Sequence, residues 1–66
     1  MMYFYDCYDE NKKPITQIFA NNYNEVKQKV PNCKWILGFD AVYRKPQWHD
    51  VELYVRLENT FNPSLT

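Results

Sequence analysis

The chain has 66 residues, of which 45% are hydrophobic and 18% aromatic, and its eight basic residues balance eight acidic ones. A chain of this length forms one domain at most, because it buries only about 60% of the surface that its unfolded form exposes. The hydrophobic content excludes a disordered chain, and the zero net charge provides no long-range field toward nucleic acid or an anionic membrane.

The first 20 residues predict a β-hairpin. Tyr3–Asp9, with the sequence YFYDCYD, is rich in the aromatic residues that favour strands. The polar turn ENKKP follows it, and Ile15–Ala20 predicts a second strand. A short polar connection between two such segments is typical of a hairpin.

The next segment predicts a short helix over Tyr23–Val30. Asn22 is a good N-cap residue, and Glu25 lies three residues later, where the acid of a capping box belongs. Pro31 ends the helix after about two turns. A helix this short is not stable alone, so we expect it to lie on a sheet.

Two further strands are predicted in the second half of the chain. Lys34–Arg44 has little polarity, and Gly38 within it predicts a bulge or a close backbone approach. The segment KPQWHD, Lys45–Asp50, predicts a loop. Val51–Glu58 alternates apolar and polar residues and predicts the clearest strand of the chain. Residues 59–66 predict an irregular tail.

Together these elements predict an α+β fold. Residues 1–58 form a single domain of ββαββ order, with a mostly antiparallel four-stranded sheet and one short helix on one face. In this arrangement Ile15, Phe19 and Tyr54 point away from the helix. The helix-free face therefore keeps apolar and aromatic groups that a single helix does not cover.

Little in the sequence favours catalysis. His49 is the only histidine, and the adjacent Asp50 would point to the opposite face of a strand, so it lacks an acid partner. Cys7 and Cys33 would give, with His49, at most three metal ligands without zinc-type spacing. Gly38, as the only glycine, excludes a glycine-rich phosphate loop. We therefore expect no enzyme, no cofactor and no metal.

The sequence predicts a cytoplasmic protein with no membrane partner. The N-terminus MMYFYDCYDE lacks the basic region of a signal peptide, and no apolar run approaches the ~20 residues of a membrane span. Two widely spaced cysteines do not form a disulfide framework. Both thiols are therefore expected to be reduced.

Aromatic and basic residues outside the predicted core indicate a site for another macromolecule. Interface cores are enriched in tyrosine, tryptophan, phenylalanine and arginine. The candidate partner-binding residues are Phe19, Arg44, Lys45, Trp48, Tyr54 and Arg56. Trp48 has two open roles, as a surface anchor for the partner or as a cap over the end of the sheet.

Three functions fit these features. The first is binding of a protein partner, and the alternative is binding of single-stranded nucleic acid by stacking on sheet-face aromatics. The third is a homo-oligomeric structural protein, since a neutral surface does not oppose a homodimer. We favour a protein partner, because Asp9, Glu10 and Asp50 accompany the basic residues of the same loops.

The run TQIFANNYNEVKQKV, from Thr16 to Val30, resembles the strand-to-helix joint of very small phage-encoded proteins. In this joint a strand ends in an inward alanine, a polar N-cap follows, and the helix carries glutamate and small apolar residues. With two more predicted strands, the chain is similar to compact phage inhibitors, including some type I anti-CRISPR proteins. The resemblance implies a small sheet with one helix that binds and blocks a host protein complex in the host cytoplasm without catalysis.

Overall fold

The computed structural model describes residues 1–61, which form four strands and two helices. The elements are β1 (Tyr3–Tyr8), β2 (Pro14–Ala20), α1 (Tyr23–Lys29), β3 (Trp35–Asp40), β4 (Lys45–Asp50) and α2 (Val51–Phe61). All strand pairs are antiparallel, in the sheet order β2-β1-β3-β4. The predicted α+β class, the four-stranded antiparallel sheet and the ββαββ order are confirmed.

Both helices contribute to one core on the same face of the sheet. On the central strand β1, the alternate residues Tyr5 and Cys7 are buried, and Ile36 of β3 joins them. Val26 of α1 and Val51 of α2 are fully buried against these residues. Because strand side chains alternate, the intervening residues lie on the opposite, helix-free face.

The C-terminal half differs from the prediction in two segments. Lys45–Asp50, predicted to be a loop, forms β4 and pairs with β3 along its whole length. Val51–Glu58, predicted to be a strand, is instead the beginning of α2, which continues to Phe61. The predicted irregular tail therefore starts with helical residues, and its remainder, residues 62–66, lies outside the described residues.

Asp50 explains why a helix begins at this point. Its Oδ1 accepts hydrogen bonds from the backbone N–H groups of Glu52 and Leu53, at 3.0 and 3.5 Å. An aspartate that accepts from the first turn is a favourable start for a helix. Val51 and Val55 are four residues apart, so a helix brings both onto the core. The apolar positions of this segment fit the helical period as well as the strand period.

Gly38 occupies a crowded position in the sheet. The pairing of β3 with β4 is continuous through Gly38, without the predicted alternative of a bulge. A Cβ atom at this position would lie 3.1 Å from Cε1 of His49. The close contact at Gly38 is therefore with the side chain of His49 on the neighbouring strand, and not with a backbone segment as predicted.

A bulge occurs instead in β2. Cys7 pairs with Thr16, whereas the next residue of β1, Tyr8, pairs with Pro14, so Ile15 is an extra residue. Ile15 packs against the core. Its predicted position on the helix-free face is therefore wrong, because the bulge changes the side to which it points.

Lys29 lies at the exposed edge of β2. Its Nζ donates a hydrogen bond to the backbone oxygen of Phe19 at 2.9 Å and forms an ion pair with Glu25 at 3.1 Å. A lysine at a sheet edge disfavours the addition of another strand. This edge is therefore protected by a side chain of α1.

The two hairpin turns place basic residues in the left-handed backbone region. Lys12 has a φ of 63° and Arg44 a φ of 57°. In each turn an aspartate, Asp9 or Asp40, accepts hydrogen bonds of 2.8–3.2 Å from two backbone N–H groups. These aspartates stabilise the turns, but a side chain with a Cβ is strained at such a φ.

We expect Arg44→Gly to raise the free energy of unfolding by about 0.5–1 kcal/mol, because glycine enters the left-handed region without a steric penalty. Chemical denaturation measures the change. Arg44→Ala is the matched control, since alanine keeps the Cβ atom. An equal gain in both variants would contradict the conformational explanation.

Glu58 of α2 holds the beginning of α1. Its carboxylate accepts from the backbone N–H groups of Tyr23 and Asn24, at 2.7 and 3.1 Å, and from the side-chain amide of Asn24 at 2.7 Å. Asn22, the predicted N-cap, accepts from the N–H of Glu25 at 2.8 Å. The backbone N–H groups in the first turn of α1, which have no partner within the helix, therefore donate to Glu58 and to Asn22.

We expect Glu58→Ala to lower the free energy of unfolding by about 2 kcal/mol, because half-buried donors lose a charged acceptor. Glu58→Gln should have a smaller effect, since it keeps one acceptor oxygen. Urea denaturation provides the measurement. Glu52→Ala on the same helix is the control and should stay within about 1 kcal/mol, because its ion pair is exposed. Equal losses for Glu58→Ala and Glu52→Ala would argue against the assigned role.

Candidate binding surface

The helix-free face of the sheet carries a broad apolar surface. We call it the sheet-face patch and define it by the apolar and aromatic residues that the strand register sets opposite to the core, where they share the face with Asp6, Gln17 and Asp50: Phe4, Tyr8, Phe19, Trp35, Leu37, Phe39, Pro46 and Trp48. The three phenylalanines are 55%, 59% and 69% exposed in chain order, and Trp48 is 38% exposed. None of the described helices covers this face.

One end of the sheet-face patch consists of phenylalanines. Phe4 and Phe19 are register partners, and their rings make an edge contact with centroids 5.2 Å apart. Phe39, at the same end of the sheet, is opposite Pro46. The strand side chains that project from the helix-free face at this end are therefore all apolar.

The other end combines tryptophan, tyrosine and a cation. The rings of Trp48 and Tyr8 make an edge contact at 4.9 Å. The Lys12 ammonium lies 4.9 Å from the ring centroid of Trp35 and 5.3 Å from that of Trp48. Such cation–π contacts stabilise both the cation and the orientation of the rings. The β1–β2 turn, in which Lys12 has a left-handed backbone conformation, therefore places the Lys12 ammonium beside both indole rings.

A second lysine near this end has its charge balanced. Lys34 lies 3.3 Å from Asp50 and 3.5 Å from Glu52. The hydrogen bond to Asp50 raises the pKa of Lys34. Partial burial opposes ionisation of Asp50, but Lys34 and the backbone N–H groups of α2 outweigh it and lower the pKa of that carboxyl. In the described part of the chain no ion pair involves Lys12.

Four of the six predicted site residues lie on the sheet or at its end. Phe19 and Trp48 belong to opposite ends of the sheet-face patch. Arg44 and Lys45 are exposed at the β3–β4 turn, which adjoins the phenylalanine end. Trp48 lies within β4 and on the sheet-face patch, and not in the loop that the sequence predicted for it.

Tyr54 and Arg56 are not on the helix-free face, so their predicted position is wrong. Both belong to α2, because the segment forms a helix and not the predicted strand. The ring of Tyr54 stacks on Tyr23 of α1, with centroids 4.7 Å apart and planes at 18°. Arg56 lines an open groove of about 420 Å³ together with Lys27, Glu52, Val55, Asn59 and Thr60.

Tyr23 centres an aromatic cluster between the helices and the sheet. Its Oη lies 3.0 Å from Nδ1 of His49, and its ring contacts Tyr5 and Tyr54. Burial raises the pKa of Tyr23 and also that of Tyr5. His49, predicted to be a loop residue, therefore belongs to a core cluster that joins β4 to both helices.

The two cysteines are buried free thiols. Burial and the neighbouring Cys33 raise the pKa of the Cys7 thiol to about 12. A thiol with so high a pKa stays protonated near neutral pH and is a poor nucleophile or metal ligand. Among residues 1–61 no group of three or more histidine, cysteine, aspartate or glutamate side chains is arranged to hold a metal ion.

No helix in the described part of the chain is long and apolar enough to cross a membrane. In comparisons with known proteins, no family model matches the chain, and no curated protein or solved structure shows significant similarity to it.

Most of the sheet-face patch was not predicted from the sequence. Tyr8 and Phe4 alternate with the buried residues of β1, and Trp35, Leu37 and Phe39 alternate around Ile36 and Gly38. This alternation with a period of two was the signal in the sequence that could have identified the patch residues. It was obscured because both faces of β3 carry apolar residues, so the segment has no polar side to contrast with them.

We expect the folded state to lose stability above about pH 10, where unfolded tyrosines ionise, because Tyr23 and Tyr5 stay neutral when folded. A raised folded pKa contributes stability that is complete below the unfolded pKa and is lost as the pH rises through the folded pKa. Melting temperatures between about pH 8 and pH 12 measure this loss. The Cys7 thiol adds to it from about pH 8.5, so variants are compared with the wild type.

Tyr23→Phe should flatten this alkaline decline and lower stability near pH 7 by about 1 kcal/mol, because the hydrogen bond to His49 is lost. Tyr43→Phe, in the exposed β3–β4 turn, is the matched control. A decline as steep in Tyr23→Phe as in the wild type would refute the role of this hydroxyl.

Proposed function

We propose that the protein is a non-enzymatic binding module that attaches to another protein through the sheet-face patch. Its action would be that of a compact phage or mobile-element inhibitor, which binds a host protein complex in the host cytoplasm and blocks it. The observation that carries this proposal is the uncovered aromatic face of the sheet.

The area of the sheet-face patch supports an interface. Phe4, Phe19, Phe39 and Trp48 are each more than one third exposed. Since an aromatic side chain has about 150–250 Å² to bury, these four alone leave on the order of 400 Å² uncovered. The largest apolar patch of a typical monomer is about 300–600 Å² and is often functional. The half-buried members of the patch add to this area.

The composition and rigidity of the sheet-face patch favour a protein partner. Tryptophan, tyrosine and phenylalanine dominate the energetic centres of protein interfaces. Here they extend from paired strands, and Lys12 and Tyr8 already orient Trp48. Side chains that are ordered before binding lose less conformational entropy when a partner covers them.

The proposal of an inhibitor rests on the segment from Thr16 to Val30, which resembles the strand-to-helix joint of very small phage-encoded proteins. Two features of the fold agree with that joint. Ala20, at the end of β2, is fully buried, and Asn22 caps α1 with its side chain. These features support the proposed class of protein through its architecture, whereas the binding surface is argued from the sheet-face patch.

Single-stranded nucleic acid is the second candidate partner, and one observation favours it. The Lys12 cation beside Trp35 and Trp48 is the combination that stacks a base and contacts a phosphate. Against it, Asp50 and Glu52 balance the charge of Lys34, and the chain has zero net charge. Nucleic-acid affinity depends chiefly on uncompensated cations.

We expect Trp48→Ala to weaken binding of the protein partner by about 2 kcal/mol, or roughly 30-fold in Kd, because an aromatic anchor of the sheet-face patch is truncated. Capture on the immobilised wild-type protein from a bacterial lysate identifies the partner, and titration of the purified partner gives the Kd. Phe61→Ala removes an exposed aromatic ring from α2 and is the matched control.

Circular dichroism first establishes that both variants are folded. Equal affinities of Trp48→Ala and the wild type would exclude Trp48 from the site, and a loss confined to Phe61→Ala would move the site to α2. Submicromolar binding to short single-stranded oligonucleotides that falls steeply with salt would replace the proposal with the nucleic-acid function.

A further inference from the structure

We infer that a second copy of this chain covers the sheet-face patch when no partner is bound, so that the free protein is a homodimer with sheet packed on sheet. This inference rests on the proposed function, because it concerns the same surface. Self-association and partner binding then compete for the sheet-face patch, and the partner binds the dissociated monomers.

The area of the face agrees with the needs of a dimer. Four strands about 4.8 Å apart and six residues long give a face roughly 20 Å across in each direction. The four exposed aromatic residues leave on the order of 400 Å² per subunit, and the half-buried members of the sheet-face patch bring it toward the roughly 600 Å² per subunit at the lower end of specific interfaces. Homodimer interfaces are also more apolar than transient ones, which fits a surface made of aromatic residues.

A second exposed apolar surface in the described residues, on α2, is smaller. Leu53, Leu57 and Phe61 are exposed at intervals of four residues along α2. A single stripe on a helix of 11 residues, about 16 Å long, covers much less area than four strands. The sheet face is therefore the better candidate for contact between two copies.

This pairing has to accommodate charge on the sheet face, above all the carboxylate of Asp6. Asp6 lies on the face in the middle of β1, where it accepts a hydrogen bond from the Tyr8 hydroxyl at 3.0 Å. A two-fold axis parallel to the strands, between β1 and β3, sets β1 of one copy against β3 of the other. Asp6 then faces the apolar strand that carries Leu37 and does not face its own copy. The zero net charge adds no overall repulsion.

The sheet edges offer a poorer route for association. Lys29 occupies the backbone oxygen of Phe19 on the edge strand β2. The opposite edge strand, β4, begins with Lys45 and Pro46, and proline lacks the N–H that a further strand requires. Two copies are therefore expected to pair through their faces.

Sedimentation velocity of the purified chain at roughly 1–200 µM tests the inference, because mass action makes the dimer fraction depend on concentration. We expect a monomer–dimer equilibrium within this range. Phe39→Glu should raise the dimer dissociation constant about tenfold or more, because it replaces an apolar ring by a carboxylate among apolar residues, whereas Asp6 keeps the Tyr8 hydroxyl as a donor. Phe61→Glu is the matched control, since Phe61 is equally exposed but lies on α2, and it should leave the constant within about twofold.

Phe19→Glu provides a second variant on the sheet face in case Phe39→Glu fails to fold by circular dichroism. A wild-type protein that stays monomeric up to 200 µM overturns the inference, and so does a dimer that only Phe61→Glu dissociates. The two proposals fail separately. A monomer that captures a partner removes the dimer and keeps the proposed function, whereas a dimer that Phe39→Glu dissociates but that captures no protein keeps the dimer and removes the proposed function.

Discussion

The carboxylate of Glu58 bonded to the first turn of α1 is the interaction on which the architecture depends most. α1 has only seven residues and would not persist alone in water. Glu58 reaches it from the other helix, so the same contact that completes α1 also fixes the position of α2. Once α2 is fixed, Tyr54 stacks on Tyr23, and Val51 closes a core that comprises eight buried residues among residues 1–61. Two helices that are each marginal thus stabilise one another and the sheet.

This arrangement also leaves the opposite face of the sheet uncovered. Both helices are needed on one side to complete the core, and the described chain has no third layer for the other side. In the described residues, the aromatic side chains that face outward follow from a sequence that is apolar on both sides of its central strands.

The sequence predicts the elements with local signals well. The hairpin, the Asn22 cap and the beginning of α1 follow from turn, cap and strand chemistry that lies within a few residues. Val51–Glu58 was misassigned because its apolar residues satisfy two periods at once, and the choice depends on Asp50 and on contacts 35 residues away at Tyr23. The errors at Tyr54 and Arg56 follow directly from that choice. Phe19 was placed correctly, but its neighbours across the sheet depend on strand register, which one sequence does not specify.

The left-handed Lys12 and Arg44, with a single glycine in the whole chain, have a consequence for the unfolded state. Glycine gives an unfolded chain its greatest backbone freedom, and proline, present four times, restricts it. A chain so poor in glycine has fewer conformations to lose when it folds. The strain held in two turns is thereby offset by a smaller entropy of the denatured ensemble, which matters most in a domain whose core is this small.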